Sequence, residues 1–202
     1  MLNITEVQRY YDAGQLTNVE GDRLPLRAGA VPVTVDLLGR GDGGIVGFKA
    51  KKHANKIDLA RIGKYDPREF WEPLSNTGGR INLDEGDFYI LATREDVGVP
   101  RQLVAEMEPL DPNSGEFRVH YAGFFDPGFG WVDGRAKGSK AVLEVRSYGV
   151  PFTLEHGQTV GWLRYSQIAT GKTDKVYGAD MASNYQGQGV ALAKYFQQWP
   201  GT

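Results

Sequence analysis

The sequence predicts an all-β protein, a sandwich or jelly-roll barrel, opened by one short helix. Three observations predict it. Short apolar runs recur along the chain, and 27 glycines and 10 prolines in 202 residues supply the turns between them. No long helical periodicity follows the first dozen residues. A hydrophobic content of 41% is enough for a proper core. No internal repeat or linker breaks the chain, so residues 1–202 are read as a single domain.

Taken in order, Thr5-Glu6-Val7-Gln8 fits a capping box, and a helix follows to about Ala13 with Gly14 as its stop. Val7, Tyr10 and Tyr11 give it an apolar face, and the chain opens on its own helix cap as a domain start would. Leu24 to Leu38 reads as one or two strands around Pro32. Gly39 to Gly44 lacks the lysine and Ser/Thr of a phosphate loop and is read as a turn. Ile45 to Phe48 is a short strand, and Lys49 to His53 a basic run on a solvated face. Asp66-Pro67 starts a turn, with Phe70 and Trp71 anchoring a loop on the protein body. Leu83 to Asp87 is read as a hairpin turn into a strand from Phe88 to Thr93. Val97 to Pro100 turns the chain again, Leu103 to Met107 is a strand, and Pro109 to Gly115 is a polar loop. Near the end come strands at Phe152 to Leu154 and Gln158 to Tyr165. A flexible segment follows at Tyr185 to Gly189, then an apolar stretch, Val190 to Phe196, with the composition of a short helix.

Composition excludes several functions. A net charge of −2 lacks the basic excess of a general nucleic-acid binder. No apolar run reaches membrane-spanning length and no signal-peptide pattern opens the chain. The absence of cysteine makes the cytoplasm the expected compartment. With 3 histidines and no cysteine, most zinc sites are excluded, including that of the zinc-dependent nucleobase deaminases.

Chemistry concentrates between Arg118 and Val145. Asp126-Pro127-Gly128 is a turn after an aromatic strand. Glu144 is a lone carboxylate in an otherwise apolar strand, sharing one face with Val142 while Leu143 and Val145 take the other. Covered on both faces, Glu144 is a buried acid suited to moving protons; on an edge strand it sits in water. The pattern alone favours the second.

Taken together, the motifs resemble the dCTP deaminase branch of the dUTPase-like superfamily. They are A-G-Q-L after the first helix, V-T-V-D-L-L-G (Val33 to Gly39), L-D-E-G-D-F-Y-I-L (Leu83 to Leu91), the V-x-V-P turn, D-P-G-F-G (Asp126 to Gly130), V-L-E-V, H-G-Q-T-V-G (His156 to Gly161) and Y-Q-G-Q-G (Tyr185 to Gly189). The wording R-V-H-Y-A-G-F-F-D-P-G-F-G is similar to the second copy in the long, two-copy form of the enzyme. The resemblance implies a distorted jelly-roll or β-clip barrel of dUTPase-like type, assembled as a trimer with active sites between subunits. It implies zinc-independent hydrolysis of dCTP to dUTP and ammonia, with Mg2+ carried on the triphosphate. By the same resemblance Glu144 is the general acid/base. Ala122 offers a backbone carbonyl to the amino group and the water, Val142 lines the substrate, Asp126 accepts the sugar 3′-hydroxyl, and Phe125 packs on the sugar. Tyr177, Tyr185 and Gln188 reach the phosphates.

One segment departs from the family. Its arginine–serine–serine phosphate grip is replaced by Glu106 to Arg118, where Glu106, Glu108, Asp111 and Glu116 are expected to repel a triphosphate. Ser114 and Arg118 stand at the wrong spacing. The longer loop from Trp131 to Lys140 offers Arg135, Lys137 and Lys140 as substitute cations. The leading reading is therefore an enzyme, or the half of one that supplies the base. The alternatives are a non-catalytic nucleotide-binding or trimer-forming module of the same fold, and a dUTPase, for which no clear signature stands in the sequence.

Overall fold

The computed structural model describes residues 1–19, 21–39, 44–75, 78–110, 117–120, 123–169, 177 and 186–200, with 117–120 and Pro109 described by their backbone alone. The chain begins with helix α1 (Ile4–Asp12). Its cap lies earlier than the sequence suggested: the Asn3 side chain accepts from the Glu6 N–H at 2.9 Å and the Glu6 carboxylate accepts from the Asn3 N–H at 3.0 Å. Asn3-x-x-Glu6 satisfies the same reciprocal pattern as Thr5-x-x-Gln8, two residues upstream. The stop is as expected, with Ala13 as C-cap and Gly14 in the left-handed region at φ 66°.

Thereafter the described regular structure is strand, apart from one 3-10 turn at Pro67–Glu69 capped by Asp66. The larger sheet holds β3 (Ile45–Ala50), β4 (Trp71–Ser75), β6 (Phe88–Val97), β8 (Phe117–His120) and β12 (Lys140–Ser147), in the order β4-β3-β6-β12-β8, with β1 (Thr17–Asn18) also paired to β6. The second sheet runs β2-β14-β7-β9, from β2 (Val31–Thr34), β7 (Leu103–Pro109), β9 (Phe124–Phe125) and β14 (Thr159–Gln167). Two small pairs complete the set: β5 (Arg80–Leu83) with β13 (Phe152–Glu155), and β10 (Trp131–Val132) with β11 (Arg135–Ala136). Every strand pairing in these sheets is antiparallel. Pro32 lies within β2, which edges its sheet, where a missing N–H leaves no gap in the ladder.

The Leu83 to Asp87 turn does not close a hairpin. β5 pairs with β13, and β6 pairs with β3 and β12, so the turn hands the chain from the small pair to the large sheet. The β10–β11 hairpin turns through Asp133-Gly134, with φ 49° and 80°. That is the doubly left-handed turn for which Asp-Gly is the preferred pair, and the reading of this segment as plain loop missed it.

The two main sheets enclose one core: Tyr89, Leu91, Leu143 and Val145 from the larger face Val31, Val33, Leu103, Met107, Leu163 and Tyr165 from the smaller. The Tyr165 hydroxyl is buried and donates toward the Leu16 and Gly98 carbonyls at 3.0 and 3.1 Å; burial raises its pKa. A second polar tie crosses the core. Glu95 on β6, only 6% exposed, accepts from the Thr34 N–H at 2.7 Å and the Thr34 hydroxyl at 2.6 Å. Glu95→Ala strands both donors, and each orphaned buried donor costs roughly 1–3 kcal/mol. Chemical denaturation should therefore show a loss of about 2–4 kcal/mol, with Glu95→Gln milder because it keeps an acceptor.

The basic run after β3 is only partly a solvated face. Lys49 Nζ lies 2.6 Å from Asp84 and 2.7 Å from Asp87, and Lys52 Nζ 3.0 Å from Asp87. The Lys49 hydrogen bond, then the second lysine, holds the buried Asp87 carboxyl below its ordinary pKa. A depressed carboxylate contributes stability that is present above its unfolded pKa, near 3.9, and lost as pH falls through the folded value. The acid limb of a stability–pH curve should therefore fall below about pH 4. Asp87→Asn should flatten that limb, with thermal melting as the readout.

Candidate active site

The face of the larger sheet turned away from the core floors a cavity of about 780 Å³. Strand alternation puts its residues there. On β12, Ala141, Leu143, Val145 and Ser147 are buried in the core while Val142, Glu144 and Arg146 take the other side, as the period of two requires. Glu144 stands opposite Ile90 of β6 and pairs in register with His120 of β8. β9 and the turn after it form the next wall. Phe125 packs edge-on against Phe129, ring centroids 5.1 Å apart, and Phe129 against Tyr177 at 5.8 Å.

The D-P-G-F-G turn is fixed by backbone. Gly128 N–H donates to the Val99 carbonyl and Val99 N–H to the Phe129 carbonyl, both at 2.8 Å. Gly130 has φ 53°, and a Cβ there would meet the Val97 carbonyl oxygen at 1.9 Å; only glycine fits. Asp126 opens this turn, exposed on the cavity rim.

The C-terminal segment forms a strap over the cavity. At one end Gly130 N–H donates to Gln186 Oε1 at 3.0 Å, Gly187 N–H to Ser139 Oγ at 2.8 Å, and Lys140 N–H to the Gln188 carbonyl at 2.8 Å. At the other, Gly63 and Lys64 donate to the carbonyls of Lys194 and Tyr195, both at 3.0 Å, and Gln197 donates to that of Tyr65 at 2.9 Å. Phe196 is seated among Phe70 and Trp71, at 5.4 and 5.9 Å between ring centroids. This pairing replaces the helix that composition suggested for Val190 to Phe196: the backbone groups bond to a distant loop, and the apolar side chains face the cavity and its aromatic wall.

Of the eight substrate-site residues expected from sequence, Phe125, Asp126, Val142, Glu144, Tyr177 and Gln188 line this one cavity. Ala122 and Tyr185 lie outside the described residues. The buried-acid reading of Glu144 is corrected, and so is the edge strand of its alternative: the side chain is exposed although β12 lies between β6 and β8, because loop and strap residues leave that face of β12 open. No hydrogen bond or ion pair to a described residue engages either the Glu144 or the Asp126 carboxylate, so both face the cavity free. Residues missed at the sequence level are Ile57, Leu59, Trp71, Phe88, Ile90, Met107 and the strap's Leu192, Tyr195 and Phe196. Parity with Ile90 in F-Y-I-L could have found Phe88; nothing local points to the strap.

The charge expectations change as well. Glu106 and Glu108 alternate with Met107, which lines the cavity, and lie outside its lining; Glu108 pairs with Arg164 at 2.6 Å. Asp111, Ser114 and Glu116 lie outside the described residues. The substitute cations are not at the cavity either. Lys140 Nζ is held by Asp96 at 3.0 Å and the Arg94 carbonyl at 2.6 Å, and Arg135 and Lys137 are exposed elsewhere. Among the described lining residues two are acidic and none is Lys, Arg or His. No group of three or more His, Asp or Glu among the described residues is placed to hold a metal.

Fold and cavity define an all-β barrel protein whose pocket combines aromatic walls with free carboxylates. The chain belongs to the 2′-deoxycytidine 5′-triphosphate deaminase family: the model of that family's C-terminal domain matches residues 5–196. A dCTP deaminase of Haloarcula marismortui is 32% identical over 130 residues, 62% of this chain and 62% of that protein. A dUMP-forming dCTP deaminase of Halobacterium salinarum is 33% identical over 121 residues, 58% of this chain and 57% of that protein. The crystal structure of 2′-deoxycytidine 5′-triphosphate deaminase from Agrobacterium tumefaciens superposes with a TM-score of 0.71 at 44% identity, covering 83% of this chain and 48% of that one. The chain thus spans about half the length of the Agrobacterium protein and under two thirds of the Haloarcula and Halobacterium proteins.

Proposed function

We propose that this chain carries the proton-transfer side of a dCTP deaminase site, with Glu144 as the general acid/base. The observation that supports this best is the convergence of Glu144, Asp126, Phe125, Val142, Tyr177 and Gln188 on one cavity. Hydrolysis at C4 adds water to the ring and expels ammonia. The water must lose a proton as its oxygen bonds to C4, and the amino nitrogen must gain one before the C4–N bond breaks. One free carboxylate beside C4 performs both transfers in turn, a contribution of about 10²–10⁴ in rate. Asp126, free on the rim, accepts the sugar 3′-hydroxyl, and the Phe125–Phe129 pair packs on the sugar. Ala122 offers its carbonyl to the amino group, and Tyr177, Tyr185 and Gln188 serve the phosphates. Gln188 Nε2 now donates to the Lys140 carbonyl at 3.2 Å and must leave it to reach a phosphate. Mg2+ arrives on the triphosphate.

Among the described lining residues none is a cation, which favours a shared site. Phe124, 77% exposed, and Leu59, 67% exposed, rim the cavity beside the open face of Glu144, as a boundary with a second copy or domain in a trimeric assembly would require. The non-catalytic alternative draws on the same lack of cations among the described lining residues. Ammonia release from dCTP, with the nucleotide product resolved chromatographically, separates the two. Release of ammonia with dUTP as the product is the expected result, and binding without turnover in any assembly of the chain would leave the non-catalytic module.

A further inference from the structure

The two ends of the strap are held by contacts of different kinds. At the front, Gln186, Gly187 and Gln188 carry no large apolar side chain, and hydrogen bonds tie them to Gly130, Ser139 and Lys140. Gln188 Nε2 reaches the Lys140 carbonyl at 3.2 Å, and Gln188 Oε1 is buried without a partner among the described residues. A buried acceptor is normally satisfied, so this end is not in its best-bonded arrangement. Gln188 also stands between Gly187 and Gly189, residues that resist backbone rotation least.

The rear end is built on aromatic burial. Phe196 is 9% exposed, with Phe70 and Trp71 against its ring. Tyr65 closes the cluster against Phe70 at 5.6 Å, and the Tyr65 and Phe196 backbones form a parallel bridge. Three residues on, Trp199 packs on Phe48 of β3 at 5.0 Å. Water or a ligand can take over a hydrogen bond at little net cost; neither replaces the burial of stacked rings. Ala191, Leu192 and Ala193 run between the two ends and line the cavity, as do Tyr195 and Phe196. We infer that Phe196 is a positioning residue: its aromatic seat fixes the rear of the strap, so that the strap yields at its front end only and carries Gln188 to the triphosphate from a fixed point. The inference rests on the reading above that Gln188 serves the phosphates. In this role Phe196 acts through Gln188 and not on the reacting atoms.

Amide hydrogen exchange on the full chain tests the seat without any nucleotide. The front amides are those of Gly130, Lys140 and Gly187, and the rear amides those of Gly63, Lys64 and Gln197. The front set should exchange about tenfold faster or more, as in a segment that opens locally beside one that stays closed. Phe196→Ala should bring the rear set to the front rate, and Phe196→Leu, which keeps an apolar side chain, should restore most of the protection. Equal exchange at the two ends of the unsubstituted chain, or a rear set unmoved by Phe196→Ala, would overturn the inference.

A double-mutant cycle on dCTP affinity tests the route through Gln188. Gln188→Ala and Phe196→Ala should each weaken dCTP binding about tenfold, the size of one charge-assisted hydrogen bond to phosphate. The double variant should bind no more weakly than either single one, because both remove the same contact. Deoxycytidine, which carries no phosphate, should bind every variant alike. Additive losses, or an equal loss for deoxycytidine, would reduce Phe196 to a structural contact while leaving dCTP deamination standing. Failure of dCTP to bind the unsubstituted chain would remove the nucleotide reading and the delivery of Gln188 with it, and hydrogen exchange would separately decide whether the rear of the strap is fixed.

Discussion

Glu144→Gln should lower kcat for dCTP deamination by about 10²–10⁴ while leaving the nucleotide's affinity nearly unchanged. The substitution keeps the size and planarity of the side chain and removes its ability to take a proton from water. Affinity should persist because the carboxylate makes no contact with a described residue that holds the cavity in shape. The opposite face of β12 carries the core through Leu143 and Val145, so melting temperature should not move. Steady-state kinetics together with an equilibrium titration reads both sides. A loss confined to KM would assign Glu144 to ground-state binding instead.

The second large effect concerns the phosphate side. The described cavity lining contains Asp126 and Glu144 and no basic residue, so a triphosphate entering it meets two negative charges. Losing even one charge-assisted contact to a buried phosphate costs roughly 1.5–3 kcal/mol, which is more than tenfold in affinity. The chain alone should therefore bind dCTP at least tenfold more weakly than it does with a family domain that carries the serine–arginine grip. Turnover should rise when the two are mixed. Ammonia release from the chain alone, the mixture, and the mixture with Glu144→Gln gives the result. Full activity of the chain alone would show that its own residues supply the cations. Activity of the mixture that survives Glu144→Gln would reduce this chain to scaffold.

Much of the fold was legible because its signals are local. Gly14 after an amphipathic turn, Pro32 in an edge strand, the Asp66 cap and the D-P-G-F-G turn each act within a few residues. The parity of β12 was legible for the same reason: alternation separated Val142 and Glu144 from Leu143 and Val145, as observed. The same rule applied to V-A-E-M-E would have placed Glu106 and Glu108 away from the Met107 side; charge was weighed there before parity. The pattern favours a solvated Glu144, but on an edge strand; that it is exposed on a strand paired on both sides was not legible, since parity gives the face and tertiary packing decides what covers it. The strap was out of reach altogether. Its ends bond to residues 63–65 and 128–140, and such long-range pairing leaves no periodicity in the segment itself. The Thr34–Glu95 tie is likewise a contact between two strands whose partnership no local pattern announces.

The account turns on where the pyrimidine sits, and a crystal structure of the Glu144→Gln chain with dCTP, together with the partner domain if that is needed for affinity, tests it most directly. The account predicts the base inside the cavity along β12, with its 4-amino group within hydrogen-bond distance of the side chain at position 144 and the sugar 3′-hydroxyl on Asp126. A nucleotide bound outside this cavity, or bound within it with C4 turned away from position 144, would contradict it.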